Sequence, residues 1–337
     1  SSDVYKRQLG NTLFGSLSGS SVAASVAIGG VLIPMEEKEG YDKKFAAAVN
    51  IASAPTGLII PPSGILIIYP VLAGCSVVGM IMSGYIPGLM WALACMVVAY
   101  VIAKKNHYPT AGKVPASVFF KYFVDAIPSL LLIVIIVGGV MSGIFTATES
   151  AAVAVAYTLF LSIVVYRSIK IKDLPKILLD ACETTAVIMF LIAGSNVMSF
   201  VMSFTGLPSA IGNALISVSS NKYVILLIIN LVLLVVGCFM DITPAVLIFT
   251  PIFLPVVQSF GMDPIHFGIM MVMNLGIGNI TPPVGSALFS GCSVADMDME
   301  DMIKPILPFY AAIFVALMLV AYVPWFSMAL PTLFGAV

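Results

Sequence analysis

The chain consists mostly of long apolar stretches separated by short polar loops. A helix needs roughly 20 apolar residues to cross the hydrocarbon core of a bilayer. Eight stretches are near that length and predict eight crossings, at about 9–33, 45–73, 85–103, 126–145, 151–166, 223–257, 265–294 and 305–330. A ninth stretch, at about 181–212, is interrupted by Gly194-Ser195-Asn196. Its two arms are too short to span, so it predicts a re-entrant hairpin with those three residues at its tip.

Composition agrees with a membrane location. Of the 337 residues, 60% are hydrophobic and only 9% are charged, which excludes a water-soluble domain of this size. The net charge of -1 gives no general attraction to nucleic acid. His107 and His266 are the only histidines, and no hydrolase or nucleotide-binding motif is present. We therefore predict a transport protein driven by an ion gradient and not an enzyme.

Basic residues orient the predicted spans, because lysine and arginine in short loops stay on the cytoplasmic side. If the eight spans alternate and the hairpin does not cross, one side receives almost all of these residues. They are Lys38, Lys43, Lys44, Lys104, Lys105, Lys113, Lys121, Arg167, Lys170, Lys172, Lys176, Lys222 and Lys304. Only Lys6 and Arg7 fall on the other side, so residues 1–8 are interpreted as a foreign or artefactual leader.

An internal repeat appears when the chain is aligned with itself, without a gap, so that Pro61 falls on Pro282. We call this alignment the repeat register. Eight identities fall in the 32 positions from Ile33 to Gly64, and most are glycine, proline or aspartate. Since these residue types restrict or free the backbone, the two copies are expected to share a backbone shape.

The two copies are expected to run in opposite directions, because five predicted crossings, an odd number, separate their starts. Inverted repeats with broken helices are typical of secondary transporters. We predict a partial first repeat at 9–103, a cytoplasmic linker at 104–125 and a second repeat at 126–337.

Paired prolines in each copy predict helix breaks inside the membrane. Proline removes an N-H donor and frees carbonyl groups of the preceding turn, and sodium binds neutral oxygen ligands of this kind. The predicted whole sodium site joins the 194–196 tip to the second break, and its residues are Gly194, Ser195, Asn196, Gly276, Gly278, Thr281 and Pro282. Half of another sodium site is predicted at Gly57, Ile60 and Pro62. The alternative is that each proline pair only kinks a membrane helix.

Polar residues within the apolar stretches are the candidates for contact with a substrate. They are Ser18, Gly19, Ser20, Ser63, Asn196 and Asp241. The small residues at 15–21 could instead allow close helix packing. Asp241 could equally be a structural hydrogen-bond hub or a cavity residue. Glu149 is interpreted as an acid that caps the following helix.

Five runs of sequence resemble one transporter family. They are SGSSVAASVAIGGVLIP from Ser18, GYDKKFAAAV from Gly40, GLIIPPSG from Gly57, GIFTATESAAVAV from Gly143 and DPIHFGIMMVMNLGIGNITPPVG from Asp263. They are similar to the large, DctM-like permease subunit of TRAP (tripartite ATP-independent periplasmic) transporters. The resemblance covers nearly all of the chain from Leu9. It implies an all-α, inverted-repeat, elevator-type carrier of the ion transporter superfamily.

The same resemblance implies a function and partners. The chain would be part of a sodium-coupled uptake system in the bacterial inner membrane for C4-dicarboxylates, sialic acid or similar carboxylates. Its partners would be a small, DctQ-like membrane subunit and a periplasmic, DctP-like solute-binding protein. The alternative is a single-component sodium-coupled di- or tricarboxylate symporter of the same superfamily. The family carries further N-terminal spans and a first re-entrant hairpin, which we expect to be missing here, so residues 1–337 alone are expected not to transport.

Overall fold

The computed structural model describes residues 10–16, 18–108, 116–219 and 221–336. In these ranges all regular secondary structure is helical, and seven helices have the length and apolar composition to cross a membrane. The chain is thus a polytopic, all-α membrane protein, as its apolar pattern predicted. It divides into two compact units, Ser1–Ala111 with Ser199–Val337, and Gly112–Met198.

The larger unit contains the internal repeat. Its helices before the smaller unit are α1 (helical residues 10–16 and 18), α2 (Ser21–Lys38), α3 (Lys43–Ser53), α4 (Thr56–Ile59), α5 (Ile65–Ala73), α6 (Val77–Ser83) and α7 (Tyr85–Lys105). Those after it are α12 (Leu207–Val218), α13 (Lys222–Phe239), α14 (Ile242–Ser259), α15 (Pro264–Asn279), α16 (Ser286–Val294), α17 (Met299–Tyr322) and α18 (Trp325–Leu333).

The first apolar stretch is a helical hairpin and not the single crossing that was predicted. A Cβ built on Gly15 would lie 3.7 Å from Cβ of Ala24, and one built on Gly10 would lie 3.9 Å from Ile28. In one continuous helix, nine residues would separate Gly15 from Ala24 by about 13 Å. α1 and α2 therefore fold back on each other around residues 18–20, which we call the first tip. The prediction that the first hairpin is missing from this chain is wrong.

A second hairpin follows at the equivalent place in the other copy. Lys222 and Leu226 at the start of α13 line the same cavity, of about 230 Å³, as Val257 and Phe260 at the end of α14. The two helices thus meet at their outer ends and turn at residues 238–241, which we call the second tip. The sequence had predicted one span at 223–257. Its length suits two membrane-length arms as well as one tilted helix, so hydropathy alone does not distinguish them.

Each hairpin is followed by a helix broken at paired prolines. The Pro61-Pro62 and Pro282-Pro283 bonds are both cis, and no helix runs through residues 60–64 (the first break) or 280–285 (the second break). These predicted breaks are confirmed. α3, α4 and α5 form the first broken helix, and α15 and α16 form the second.

The two broken helices run in opposite directions, as the repeat predicted. Tyr69, late in the first, donates its hydroxyl proton to the carbonyl oxygen of Pro264 at the start of the second, at 2.7 Å. Gly291, late in the second, is packed so closely against Ile51 in α3 that an added Cβ would come within 2.3 Å of that side chain. The end of each broken helix therefore lies near the beginning of the other.

The repeat register also relates the helix boundaries. It carries the first and last residues of α2 onto those of α14, and those of α5 onto those of α16. It also carries the start of α3 onto the start of α15. Partners are exchanged between the copies, since α2 packs on α16 and α14 packs on α5. Such an exchange is expected from a pseudo-two-fold relation between inverted repeats.

Lys222 lies at the opposite end of the larger unit from Lys44. Lys44 pairs with Asp301 at 2.6 Å, where α3 begins, whereas Lys222 shares a cavity with Asp263, where α15 begins. Because α3 and α15 are antiparallel, these ends are opposite, and the prediction that both lysines share one side is wrong. The sequence-based count treated residues 181–212 as the segment that folds back, whereas the segments that fold back are 10–38 and 222–259.

Buried amides attach the first arm of each hairpin to its broken helix. The Nδ2 atom of Asn11 donates to Oδ1 of Asn50 at 3.1 Å and to Oγ of Ser53 at 2.5 Å. In the other copy, Nδ2 of Asn274 donates to the carbonyl oxygen of Asn230 at 2.9 Å and to its Oδ1 at 2.7 Å. Side-chain hydrogen bonds of this kind connect helices in lipid, where water cannot replace them.

We expect Asn274→Leu to lower the free energy of unfolding by about 1–3 kcal/mol, because it leaves the buried Oδ1 of Asn230 without its donor. In the Asn274→Leu variant, adding Asn230→Leu should lower the free energy of unfolding by less than Asn230→Leu does alone, since both polar partners are then gone. Thermal unfolding of the two single variants and the double variant measures this coupling. Fully additive effects would contradict the paired arrangement. Asn106→Leu, at an exposed loop position, is the control.

The smaller unit consists of long apolar helices. They are α8 (Ala116–Ile133) with α9 (Gly139–Met141), α10 (Ala147–Phe160) and most of α11 (Leu174–Thr205). The predicted linker at 104–125 is therefore helical at both ends, outside residues 109–115. Glu149 caps α10 as predicted, because its Oε2 accepts hydrogen bonds from the backbone N and the Oγ1 of Thr146, at 2.8 and 2.9 Å. The predicted leader at 1–8 lies outside the described residues.

Candidate functional site

The first tip lies against the first break. Gly19 has a left-handed φ of 62°, and a Cβ added there would lie 3.3 Å from the backbone nitrogen of Gly64 and 3.9 Å from Cα of Ser63. Ser63 is 2% exposed, and its hydroxyl has no hydrogen-bond partner among the described residues. The structure therefore brings together the predicted substrate residues Ser18, Gly19, Ser20 and Ser63. We call residues 18–20 and 60–64 the first site.

The second tip lies against the second break in the same manner. The carbonyl oxygen of Cys238 accepts hydrogen bonds from the backbone nitrogens of Val284 and Gly285, at 3.2 and 3.3 Å. Oγ of Ser286 lies 3.4 Å from Oδ1 of Asp241, which is the N-cap residue of α14. We call residues 238–241 and 280–285 the second site.

Thr281 lies at the entrance to the second break, and its hydroxyl faces back to α15. Its Oγ1 donates to the carbonyl oxygen of Ile277 at 2.6 Å, and its backbone nitrogen donates to that of Gly278 at 2.9 Å. Since the hydroxyl proton is used in this bond, Oγ1 can meet a cation only through its lone pairs, and the Tyr310 side chain also lies beside this hydroxyl. The N-cap of α16 is Gly285, so Thr281 does not cap that helix.

Gly285 lies in close contact with backbone atoms of the second break. Its φ is 39°, and a Cβ placed there would lie 2.7 Å from the carbonyl oxygen of Thr281, and 3.1 Å from both the carbonyl oxygen of Asn279 and the backbone nitrogen of Thr281. Any side chain would therefore clash with these atoms and strain the backbone. Two of them are neutral carbonyl oxygens, the kind of ligand that hard cations such as sodium prefer.

Three of the glycines predicted to bind sodium, Gly57, Gly276 and Gly278, lie in close packing contacts. A Cβ on Gly57 would lie 2.2 Å from Cα of Gly15, and a Cβ on Gly278 would lie 2.5 Å from Cα of Gly237. Each broken helix thus crosses the first arm of its hairpin with the two backbones in contact. Gly276 faces Trp91 at 3.4 Å from an added Cβ.

The other predicted residues of the first break pack in a similar way. Ile60 fills the space beside Gly88, where an added Cβ would come within 2.3 Å of its side chain. Pro62 follows Ile60 in the cis Pro61-Pro62 pair. Both residues therefore shape the break through packing and backbone geometry.

The turn predicted at residues 194–196 is not present. α11 continues through Gly194, Ser195 and Asn196, and the chain turns at Gly206, where φ is 70°. A single glycine costs a helix only about 1 kcal/mol, which is less than the loss of hydrogen bonds in lipid. The second break instead receives the tip at 238–241. A role for Asn196 in substrate or sodium binding stays a prediction.

A family model described as "Tripartite ATP-independent periplasmic transporter, DctM component" matches residues 7–326. The chain belongs to this family. Its sequence is 51% identical to YgiK, an uncharacterised protein of Salmonella typhimurium, over 97% of this chain and 75% of that protein. It is 38% identical to the C4-dicarboxylate TRAP transporter large permease protein DctM of Pseudomonas aeruginosa, over 96% of this chain and 76% of that protein.

Another DctM-family relative has a different substrate in its name. The sialic acid TRAP transporter large permease protein SiaM of Vibrio cholerae is 37% identical, over 97% of this chain and 76% of that protein. Membership of the DctM family confirms the resemblance found in the sequence. It also favours a tripartite permease over the single-component symporter that was the alternative.

Three residues in or next to the second site of this DctM-family chain were not among the predicted site residues. Cys238, Asn279 and Ser286 each make hydrogen bonds between elements there. The sequence did contain a signal for the second tip, because the repeat register aligns the serine-rich segment 18–20 with residues 239–241. Both segments would then have been predicted as tips.

Proposed function

We propose that this chain is the large membrane subunit of a tripartite transporter that takes up a small organic acid across the bacterial inner membrane, driven by sodium. The observation that carries the proposal is the repeated meeting of a hairpin tip with a helix break. Broken helices at the contact of inverted repeats are where secondary transporters bind substrate and coupling ions. A hairpin tip meets a helix break twice here, once in each copy.

Helix polarity supports an acid as the substrate. α2 and α14, each of 18 residues, begin at the two tips, so their positive N-terminal ends point toward the sites. The named relatives carry C4-dicarboxylates and sialic acid, which are carboxylates. The hydroxyl of Ser63, which has no partner within the described part of the chain, is a further donor for a carboxylate at the first site.

The residues of the second site fit sodium. Carbonyl oxygens of Asn279 and Thr281 lie beside Gly285, and a cation here would share the Thr281 hydroxyl oxygen with the neighbouring Tyr310. A bound ion would offset the negative ends of α15 and of the carbonyl dipoles around it. Thr281, Gly278 and Pro282 would hold or shape this site, and Gly57, Ile60 and Pro62 would shape the equivalent site at the first break.

Both sites belong to one compact unit. We propose that this unit carries ion and substrate together in an elevator-type cycle, which needs the two sites to move as one body. The partners would be a DctQ-like small membrane subunit and a DctP-like periplasmic binding protein, because the family description is that of one component of a tripartite system.

The test is sodium binding by the purified chain. A ligand that binds only the folded state raises stability by RT ln(1 + [L]/Kd), about 2.7 kcal/mol at a hundredfold excess over Kd. We expect the thermal unfolding midpoint to rise with sodium chloride and to saturate. Potassium or choline chloride at equal ionic strength should have little effect. Equal responses to all three salts would contradict a specific sodium site.

A matched pair of glycine variants locates the ion. Gly285→Ala places a methyl group against the carbonyl oxygens of Thr281 and Asn279 and should abolish the sodium response. Gly261→Ala imposes a similar left-handed strain at φ 75°, with no atom within 4 Å of the added Cβ. It should lower the midpoint and keep the sodium response. A normal response in Gly285→Ala would place the ion elsewhere.

A further inference from the structure

Asn279 ends α15 and bonds to two other helices. The side chain is buried, with 2% exposure. Its Nδ2 donates to Oγ of Ser21 at 2.6 Å, where α2 leaves the first tip. Its Oδ1 accepts from the backbone nitrogen of Ala287 at 3.3 Å and from the hydroxyl of Ser286, in the first turn of α16. One amide thus connects the first hairpin to both sides of the second break.

The connection extends to the second hairpin. Oγ of Ser286 lies between two acceptors, Oδ1 of Asn279 and, at 3.4 Å, Oδ1 of Asp241 at the second tip, and its single proton can be donated to either of them. The order Ser21, Asn279, Ser286, Asp241 therefore leads from one hairpin tip to the other through the second break. These four residues, which we call the tip link, come from four different helix ends.

The repeat has no equivalent link on its other side. In the repeat register, Asn279 corresponds to Leu58, Ser286 to Ile65, and Ser21 to Ile242. Burying an amide costs free energy unless its hydrogen bonds are made, and Leu58 shows that the fold accepts an apolar residue at this position. The repeated backbone therefore does not require the polar residues Asn279, Ser286 and Ser21 at the second break.

A second contact keeps α2 against α16 beside the tip link. Ser25, one turn along α2, donates its hydroxyl proton to the carbonyl oxygen of Ala287 at 3.3 Å. Gly291 allows this approach, because a Cβ there would lie 2.6 Å from Oγ of Ser25. α2 is thus held against α16 by a hydrogen bond and a close packing contact as well as by the Asn279 amide.

We propose that Asn279 is a positioning residue that couples the two hairpin tips, so that ordering of the second break is transmitted through Ser21 to the first tip. The inference rests on the proposed function only for the ligand, sodium, that orders the break. Coupling between sites requires an element that both sites bias, and the tip link has contacts at both tips. The polar residues of the tip link occur at the second break and not at the equivalent positions of the first break. We therefore predict that occupation of the second site prepares the first site for binding.

Hydrogen exchange of the purified full chain tests the link. Without sodium, Ser21→Ala and Asn279→Leu should each raise exchange several-fold both at amides 21–25 and at amides 286–288. Ser21→Thr keeps a hydroxyl and should restore slow exchange. Ser290→Ala is the control, because its hydroxyl bonds within α16, to the carbonyl oxygen of Ser286 at 2.8 Å. If Ser21→Ala changes exchange only at its own helix, the link is refuted.

A second arm adds sodium. In the wild-type chain sodium should slow exchange at both tips, whereas in Ser21→Ala it should slow exchange only at the second site. Equal protection of both tips in Ser21→Ala would overturn transmission through Asn279. Absence of any sodium effect in the wild-type chain would overturn the proposed function, while the sodium-free arm would still decide whether the link exists.

Discussion

Gly57→Ala is expected to destabilise the larger unit by about 3 kcal/mol, because overpacking a tight contact costs about 1–3 kcal/mol and this contact is between backbones. The added methyl group would lie 2.2 Å from Cα of Gly15, and neither backbone can rotate away as a side chain could. The first hairpin must therefore move off the broken helix. Gly278→Ala should act in the same way at the second crossing, where Gly237 is 2.5 Å away.

Gly64→Ala is the matched control for this prediction. Gly64 lies seven residues further along the same broken helix, has an ordinary helical φ of -60°, and has no atom within 4 Å of an added Cβ. Thermal unfolding and the monodisperse fraction in size-exclusion chromatography should show a large loss for Gly57→Ala and little change for Gly64→Ala. Similar behaviour of the two variants would show that the crossing relaxes without cost.

Thr281→Val is expected to weaken sodium binding roughly ten- to a hundredfold, because loss of one neutral oxygen ligand in a low-dielectric site costs on the order of 1 to 3 kcal/mol. The substitution is nearly isosteric. It also removes the hydrogen bond from Oγ1 to the carbonyl oxygen of Ile277, so sodium-free stability should fall by about 1 kcal/mol. Thermal midpoints across a sodium titration, each referred to its own sodium-free value, separate the two effects.

Thr281→Ser keeps the hydroxyl and should keep the wild-type sodium dependence. Ser290→Ala removes a similar hydroxyl bond to a carbonyl oxygen four residues earlier, outside the break, and should lower only the sodium-free midpoint. An unchanged sodium titration in Thr281→Val would remove Thr281 from the ion site and leave it as a structural hydrogen-bond donor.

The sequence by itself determined the class of protein and the repeated part of its fold. The apolar stretches are longer than the helices of a soluble protein need to be, and only a lipid bilayer can bury them. Gly57, Pro61 and Pro62 recur at Gly278, Pro282 and Pro283, and because glycine frees and proline restricts the backbone locally, their effect can be read without knowing distant contacts. The family resemblance followed from the same runs of residues.

Only the tertiary structure decided which segments are hairpins and which residues meet at each break. An apolar stretch that crosses the bilayer and one that folds back within it satisfy the same hydropathy, since both bury their surface in lipid or protein. Gly194-Ser195-Asn196 therefore suggested a turn inside what is a continuous helix, while the real tips at 18–20 and 238–241 lay within predicted spans. The pairing of Ser21 with Asn279 joins residues 258 positions apart. No local pattern encodes that contact, because it depends on how the two repeats pack against each other.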